Sequence, residues 1–130
     1  MAGHPLHRLE AISLVALGGF VGVNARWLFL GQLGEIEAIL LANVVGCLVL
    51  GFLVYEATSM AVTDRSGRLV LTTGFCSSLT TYSTFAMQTA LAGGPLETAT
   101  VVVGNYGLGI LAVLAGRSLA LRLGRGGGPP

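Results

Sequence analysis

The chain has 130 residues and a formal net charge of +1; 53% of it is apolar, only 10% is charged, and its mean hydropathy is +0.80. Soluble domains carry about 25% charged residues, and a soluble fold this small cannot hide so much apolar surface. The composition therefore excludes a water-soluble globular domain, and the near-zero net charge offers no basic footprint for a nucleic-acid partner.

In chain order, residues 1–10 read as a short N-terminal arm. It carries His4 and His7 in an H-x-x-H spacing, weak as a metal site on so short an arm. Residues 11–121 read as one unit of four membrane-spanning helices. A span needs about 20 apolar residues, at 1.5 Å of rise each, to cross roughly 30 Å of hydrocarbon. The first predicted span is 11–30. Arg8 ahead of an apolar run resembles a signal peptide, but three more spans follow, and Gly18, Gly22 and Arg26 suit a packed helix. Gly18 and Gly22 form a G-x-x-x-G pair, which permits close helix contact. The second span is 36–55 and contains Asn43, an intramembrane amide equally suited to interhelical bonding or to lining a pore. Cys47 and Cys76 both sit in apolar stretches, which reads as small buried hydrophobes rather than a disulfide or zinc framework.

The third span, 69–92, concentrates polar residues. Eight of the thirteen residues from Thr72 to Thr84 are Ser or Thr. One or two per span bond back to their own helix; eight around Ser77-Ser78 predict a helix interrupted or hydrated near its centre. Irregular backbone at that depth is tolerated only when buried in protein or lining a cavity, and its carbonyls suit a cation. Tyr82 and Phe85 follow at i and i+3 on one helix face. Their positive ring edges, beside hydroxyl donors, suit an anion. The fourth span, 98–121, contains Asn105 and Tyr106. Residues 122–130 read as a disordered Gly/Pro tail.

With four spans, the termini and the 56–68 loop share a side. That side holds Arg8, Arg65, Arg68, Arg117, Arg122 and Arg125, against Arg26 alone toward the other. The positive-inside rule places both termini in the cytoplasm of a multi-pass cell-membrane protein. No Asp or Glu lies in the middle of a span, and no catalytic constellation is present, so neither an enzyme nor a proton-coupled exporter is indicated.

The run Gly74-Phe75-Cys76-Ser77-Ser78-Leu79-Thr80-Thr81-Tyr82-Ser83-Thr84-Phe85 resembles the third-helix signature of the Fluc/CrcB fluoride channels, roughly G-F-x-G-G-x-T-T-F-S-T-F. Gly18-Gly19-Phe20-Val21-Gly22-Val23-Asn24-Ala25-Arg26-Trp27 is similar to that family's first-helix G-G-x-x-G-x-x-x-R-[YW], and Asn43-Val44-Val45-Gly46 to its N-x-x-G. The resemblance covers all four spans. It implies an all-α integral membrane subunit, a broken third helix, and an antiparallel dimer of the dual-topology type. It further implies fluoride as the permeant ion, passive export of fluoride from the cytoplasm, and a structural, untransported Na+ at the dimer centre. By position, Asn43, Tyr82, Phe85, Ser83, Thr84 and Tyr106 match pore residues. Ser77 and Thr80 match the positions whose carbonyls hold sodium, and Arg26 matches the first-helix arginine. Three positions depart from the family pattern: Ser77-Ser78 stands for Gly-Gly, Tyr82 for a Phe, and Gln88 for a Glu of several members.

The arginine bias, about six to one, adds an expectation of its own. A chain that inserts both ways should carry almost no bias. This chain is predicted to insert one way and to pair with an oppositely oriented homologue. The competing functional readings are a small four-span multidrug or cation exporter and a non-transporting membrane assembly subunit.

Overall fold

A computed structural model describes residues 5–59 and 63–126, and these are helical throughout apart from short connections. Helix α1 runs Pro5–Gln32 and α2 Glu35–Ser59. The third segment is composite. Helix α3, residues 65–79, joins an α-helical turn Arg65–Arg68, a π-helical stretch Leu69–Cys76 and a last turn Ser77–Leu79; α4 runs Tyr82–Leu91. Helix α5 runs Pro95–Gly126.

Three of these helices, α1, α2 and α5, are long and apolar enough to cross a membrane. The expected third span is not among them as one helix, because Thr80 and Thr81 leave the helical region between α3 and α4. The helices also outrun the hydropathy windows. Helix α1 begins within the expected N-terminal arm, and α5 continues into the expected tail as far as Gly126. Apolar character stops at the hydrocarbon edge, whereas i→i−4 bonding continues through the interface. Residues 1–4 and 127–130 of those two segments lie outside the described residues.

Glycine determines how the helices meet. A Cβ on Gly18 would strike the Val70 carbonyl oxygen, and one on Gly22 the Phe75 carbonyl oxygen. From the other side, a Cβ on Gly74 would lie 2.7 Å from the Val15 oxygen and 2.9 Å from Gly18 Cα. The G-x-x-x-G pair of α1 thus seats the π-helical part of α3 backbone to backbone. Helices α2 and α5 form the most extensive contact by the same device: Gly51 faces Val113, and Gly116 faces Leu48 and Phe52. Lipid tails are as apolar as Leu, so close packing of small residues replaces the hydrophobic drive between helices. The buried core accordingly holds Ala38, Ala42, Ala112 and Ala120, while Leu17, Phe20, Trp27 and Leu28 face outward from α1.

Gly74→Val should therefore wedge α1 from α3. The expected cost is about 1–3 kcal/mol, read as a lower thermal midpoint in detergent, with Ala at outward-facing Leu17 as the neutral control.

Candidate functional site

The interruption between α3 and α4 exposes backbone groups, and side chains from two other helices take them up. Thr80 (φ −77°, ψ 158°) and Thr81 (φ −151°, ψ 119°) are extended. The Thr80 N–H still reaches the Cys76 carbonyl at 3.0 Å, but the Thr81 N–H donates to Asn43 Oδ1 at 2.9 Å. Asn43 returns the bond, its Nδ2 donating to the Thr81 carbonyl at 3.4 Å. Arg26 Nη1 donates to the Thr80 carbonyl at 3.3 Å. The Thr81 hydroxyl caps α4 by accepting from the Thr84 N–H at 3.3 Å. Irregular backbone at membrane depth needs this complete a set of partners.

Position explains the reach of Asn43. Helix α2 comes against the interruption at Gly46, where a Cβ would strike Thr80 Cγ2. Asn43 lies three residues earlier on the same face, level with Thr81. Across from it, Asn105 of α5 accepts from Asn43 Nδ2 at 2.9 Å.

These groups open onto a cavity of about 690 Å³. Asn43, Ser77, Thr80, Thr81, Tyr82, Phe85, Asn105 and Tyr106 line it, with Gly46, Cys47, Cys76 and Gly109 among the remainder. Its aromatic residues touch in series. Tyr82 and Phe85 ring centroids lie 5.8 Å apart at 56°, and Phe85 meets Tyr106 edge-on at 5.7 Å and 87°. Phe85 is buried, whereas Tyr82 is 74% and Tyr106 56% exposed. Among the described residues no carboxylate lines the cavity.

Of the residues singled out from sequence, Asn43, Ser77, Thr80, Tyr82, Phe85 and Tyr106 converge on this cavity. Ser83 and Thr84 do not line it. They sit on the first turn of α4, their hydroxyls 3.3 and 3.1 Å from the Thr81 hydroxyl. Arg26 reaches the interruption from α1 and acts there as a carbonyl cap. Thr72 and Thr80 spend their hydroxyls on the Arg68 and Cys76 carbonyls, as Thr does in an ordinary helix. Asn105 and Thr81 were not singled out as site residues. An amide in an apolar span was the available signal for Asn105, and the T-T pair in the polar run for Thr81. Gln88, on α4, donates to the Glu35 carbonyl at 3.2 Å and so ties α4 to the start of α2.

The two residues that the resemblance assigns to sodium, Ser77 and Thr80, differ in backbone conformation. Ser77 has φ −65° and ψ −29°, an ordinary helical conformation, so serine carries no penalty where the family pattern has glycine. Its carbonyl would normally accept from the Thr81 N–H, which is given to Asn43 instead. The Ser77 carbonyl is thereby relieved of its usual helical partner, and the Thr80 carbonyl, in extended backbone, is shared with Arg26. Carbonyl oxygens are donors of the kind that suits a hard cation.

Residues 13–117 match the family profile described as CrcB-like protein, Camphor Resistance (CrcB). The chain belongs to the CrcB family. Among curated relatives it is 46% identical over 126 residues to Fluoride-specific ion channel FluC 1 of Haloarcula marismortui, covering 96% of both chains. It is 45% identical over 112 residues to FluC 1 of Natronomonas pharaonis, covering 85% of this chain and 93% of that one. It is 42% identical over 121 residues to FluC 2 of Halobacterium salinarum, covering 91% and 93%. The matched CrcB region contains all five helices in part or whole, and with them every residue of the cavity.

Proposed function

We propose that this CrcB chain is one subunit of a fluoride-specific channel that lets fluoride leave the cytoplasm passively. The observation that carries the reading is the cavity at Thr80–Thr81, where an amide, hydroxyls and a run of three aromatic rings meet on a mostly apolar surface. Fluoride holds its hydration water tightly, so a selective path must replace that water with donors in a narrow, dry bore. Asn43 supplies amide N–H groups, Tyr82 and Tyr106 supply phenol O–H groups, and the ring edges supply positive quadrupole. Among the described residues no fixed charge lines the cavity to trap the ion, and none of them is a carboxylate of the kind a proton-driven exporter uses for coupling. Curated relatives named as fluoride-specific channels over nearly the whole chain support the same reading.

A single chain leaves this cavity open on one side. Thr73, Ser77 and Tyr82 are exposed there, and polar groups at membrane depth require protein rather than lipid against them. We take the covering partner to be a second subunit in the opposite orientation. Ser77 and Thr80 of each subunit would then offer four carbonyls to a central sodium ion, which supplies the positive charge that keeps those oxygens together. The three helices long enough to span, with α3 and α4 forming an interrupted crossing, give the subunit four crossings.

Orientation follows from the arginines. The guanidinium of Arg117 lies 4.9 Å over the Tyr55 ring, which sets the end of α5 beside the end of α2. Arg65 shares a small polar recess with His7 and Glu10, which sets the start of α3 beside the start of α1. Four arginines, Arg65, Arg68, Arg117 and Arg122, therefore cluster at one end of the bundle with Arg8, which favours both termini inside. A tag on the C-terminus should be protected in intact cells and labelled only after permeabilisation. Equal labelling on both faces would contradict a fixed orientation and restore the homodimer.

Reconstituted vesicles provide the functional test. Fluoride loaded into liposomes should escape faster than from empty vesicles when the chain is present with its oppositely oriented partner. The rate should fall when sodium is replaced by a large organic cation. Efflux indifferent to sodium would remove the central ion while leaving the channel; no efflux with either partner arrangement would remove the channel.

A further inference from the structure

Asn43 has two N–H groups and one carbonyl oxygen to give. The Thr81 N–H can only donate, so it fixes the Asn43 oxygen on its side, at 2.9 Å. The Asn43 nitrogen then faces away, toward Asn105 at 2.9 Å and back to the Thr81 carbonyl at 3.4 Å. Asn105 must present its oxygen to that nitrogen. Its own nitrogen turns into α5 and donates to the Val101 carbonyl at 3.0 Å, one turn earlier. Asn105 lines the cavity, with one of its N–H groups given to its own helix and its oxygen given to Asn43.

We infer that Asn105 is a positioning residue that sets how many donors Asn43 can offer a passing anion. The inference rests on the reading that this cavity carries fluoride. With Asn105 in place, one N–H of Asn43 is held by the shorter, stronger bond, and the other by a bond at 3.4 Å that is close to the limit of a hydrogen bond. An arriving fluoride competes for the second N–H and leaves the first alone. The first bond, with the Thr81 N–H on the oxygen, keeps the amide plane fixed while the second N–H exchanges between carbonyl and anion. Rapid passage requires a site strong enough to admit the ion and weak enough to release it. One exchangeable N–H meets that requirement better than two.

Removing the Asn105 oxygen frees the first N–H as well and turns Asn43 into a two-donor clamp. Fluoride should then bind more tightly and leave more slowly. Asn105→Leu and Asn105→Ala are measured in parallel, because Ala also lacks the oxygen and is small enough for α5 to keep its packing on α2 if Leu does not fold. Initial efflux from liposomes is recorded against internal fluoride concentration. The half-saturating concentration and the maximal rate should both fall, each at least severalfold relative to wild type. A role in packing alone would lower the maximal rate by reducing the number of working channels and leave half-saturation where it was; that result overturns the inference. Wild-type vesicles that release no fluoride would overturn the channel reading and this inference with it, an outcome distinct from an unchanged half-saturation in active vesicles.

Discussion

Asn43→Leu is expected to cut fluoride efflux by roughly a hundredfold. The side chain makes three hydrogen bonds: Thr81 N–H at 2.9 Å, Thr81 carbonyl at 3.4 Å and Asn105 Oδ1 at 2.9 Å. At about 1 kcal/mol each, their loss amounts to about 3 kcal/mol, which corresponds to about a hundredfold in a population or a rate. Two effects are combined in that figure. The Thr81 N–H loses its acceptor, so the interruption between α3 and α4 loses its fixed geometry; and the cavity loses its amide donors. Asn43→Asp separates them. The carboxylate keeps an acceptor for the Thr81 N–H but has no N–H to give, and its charge repels an anion. An inactive Asn43→Asp protein that keeps one of the three bonds and more of its stability, beside an inactive Asn43→Leu protein that keeps none, is the expected pair of results. Thermal midpoints in detergent and vesicle efflux read the two properties independently.

Phe85→Leu is expected to be the second large effect. Phe85 is the middle ring of the series, touching Tyr82 on one side and meeting Tyr106 edge-on at the other. Each aromatic pair contributes about 0.5–1.5 kcal/mol beyond its buried area, and Leu offers no positive ring edge at all. Efflux should fall by more than about tenfold, the equivalent of 1.4 kcal/mol, with both tyrosines retained. Tyr82→Phe is the informative contrast. The Tyr82 side chain is largely exposed, so its loss of a hydroxyl leaves packing within the chain untouched. The ring edge remains, so efflux should stay within a few-fold of wild type. A collapse in Tyr82→Phe would show that the phenol O–H, and not the ring, is the group that replaces water.

Several features of this architecture are visible in the sequence because they depend on local chemistry. The pair Gly18 and Gly22 announces a close helix contact, and the structure supplies one. The contact is to the π-helical part of α3, however, and nothing in α1 alone names that partner. The Ser/Thr-rich run announces backbone that departs from a regular helix. The polar run is centred on Ser77-Ser78, yet Ser77 is an ordinary helical residue and the extended pair is Thr80–Thr81. The difference lies in long-range partners. Gly46 of α2 admits Thr80, and Asn43 takes the Thr81 N–H, so residues more than thirty positions away choose where the helix lets go.

The same reason explains why the individual polar residues were harder to read than their clustering. Thr72 and Thr80 bond back to their own helix, whereas Thr81 serves as a cap; the three are identical in sequence terms. Arg26 is legible as an intramembrane charge, but its use on the Thr80 carbonyl depends on α1 lying against α3. Asn105 is legible only as an amide in an apolar span. Its importance comes from Asn43, sixty-two residues away in sequence and 2.9 Å away in space. Helix ends lie outside the predicted spans for a different reason: hydropathy marks the hydrocarbon, and α1 and α5 are longer than their apolar windows.

The most direct measurement is the efflux of fluoride and chloride from the same vesicles, each followed with its own ion-selective electrode. A path built from one exchangeable amide N–H, phenol hydroxyls and ring edges in a narrow apolar cavity should release fluoride rapidly and hold chloride at the rate of empty vesicles. Comparable release of the two anions would mean that the path is wide and wet, and that the residues around Thr80–Thr81 do not select the ion.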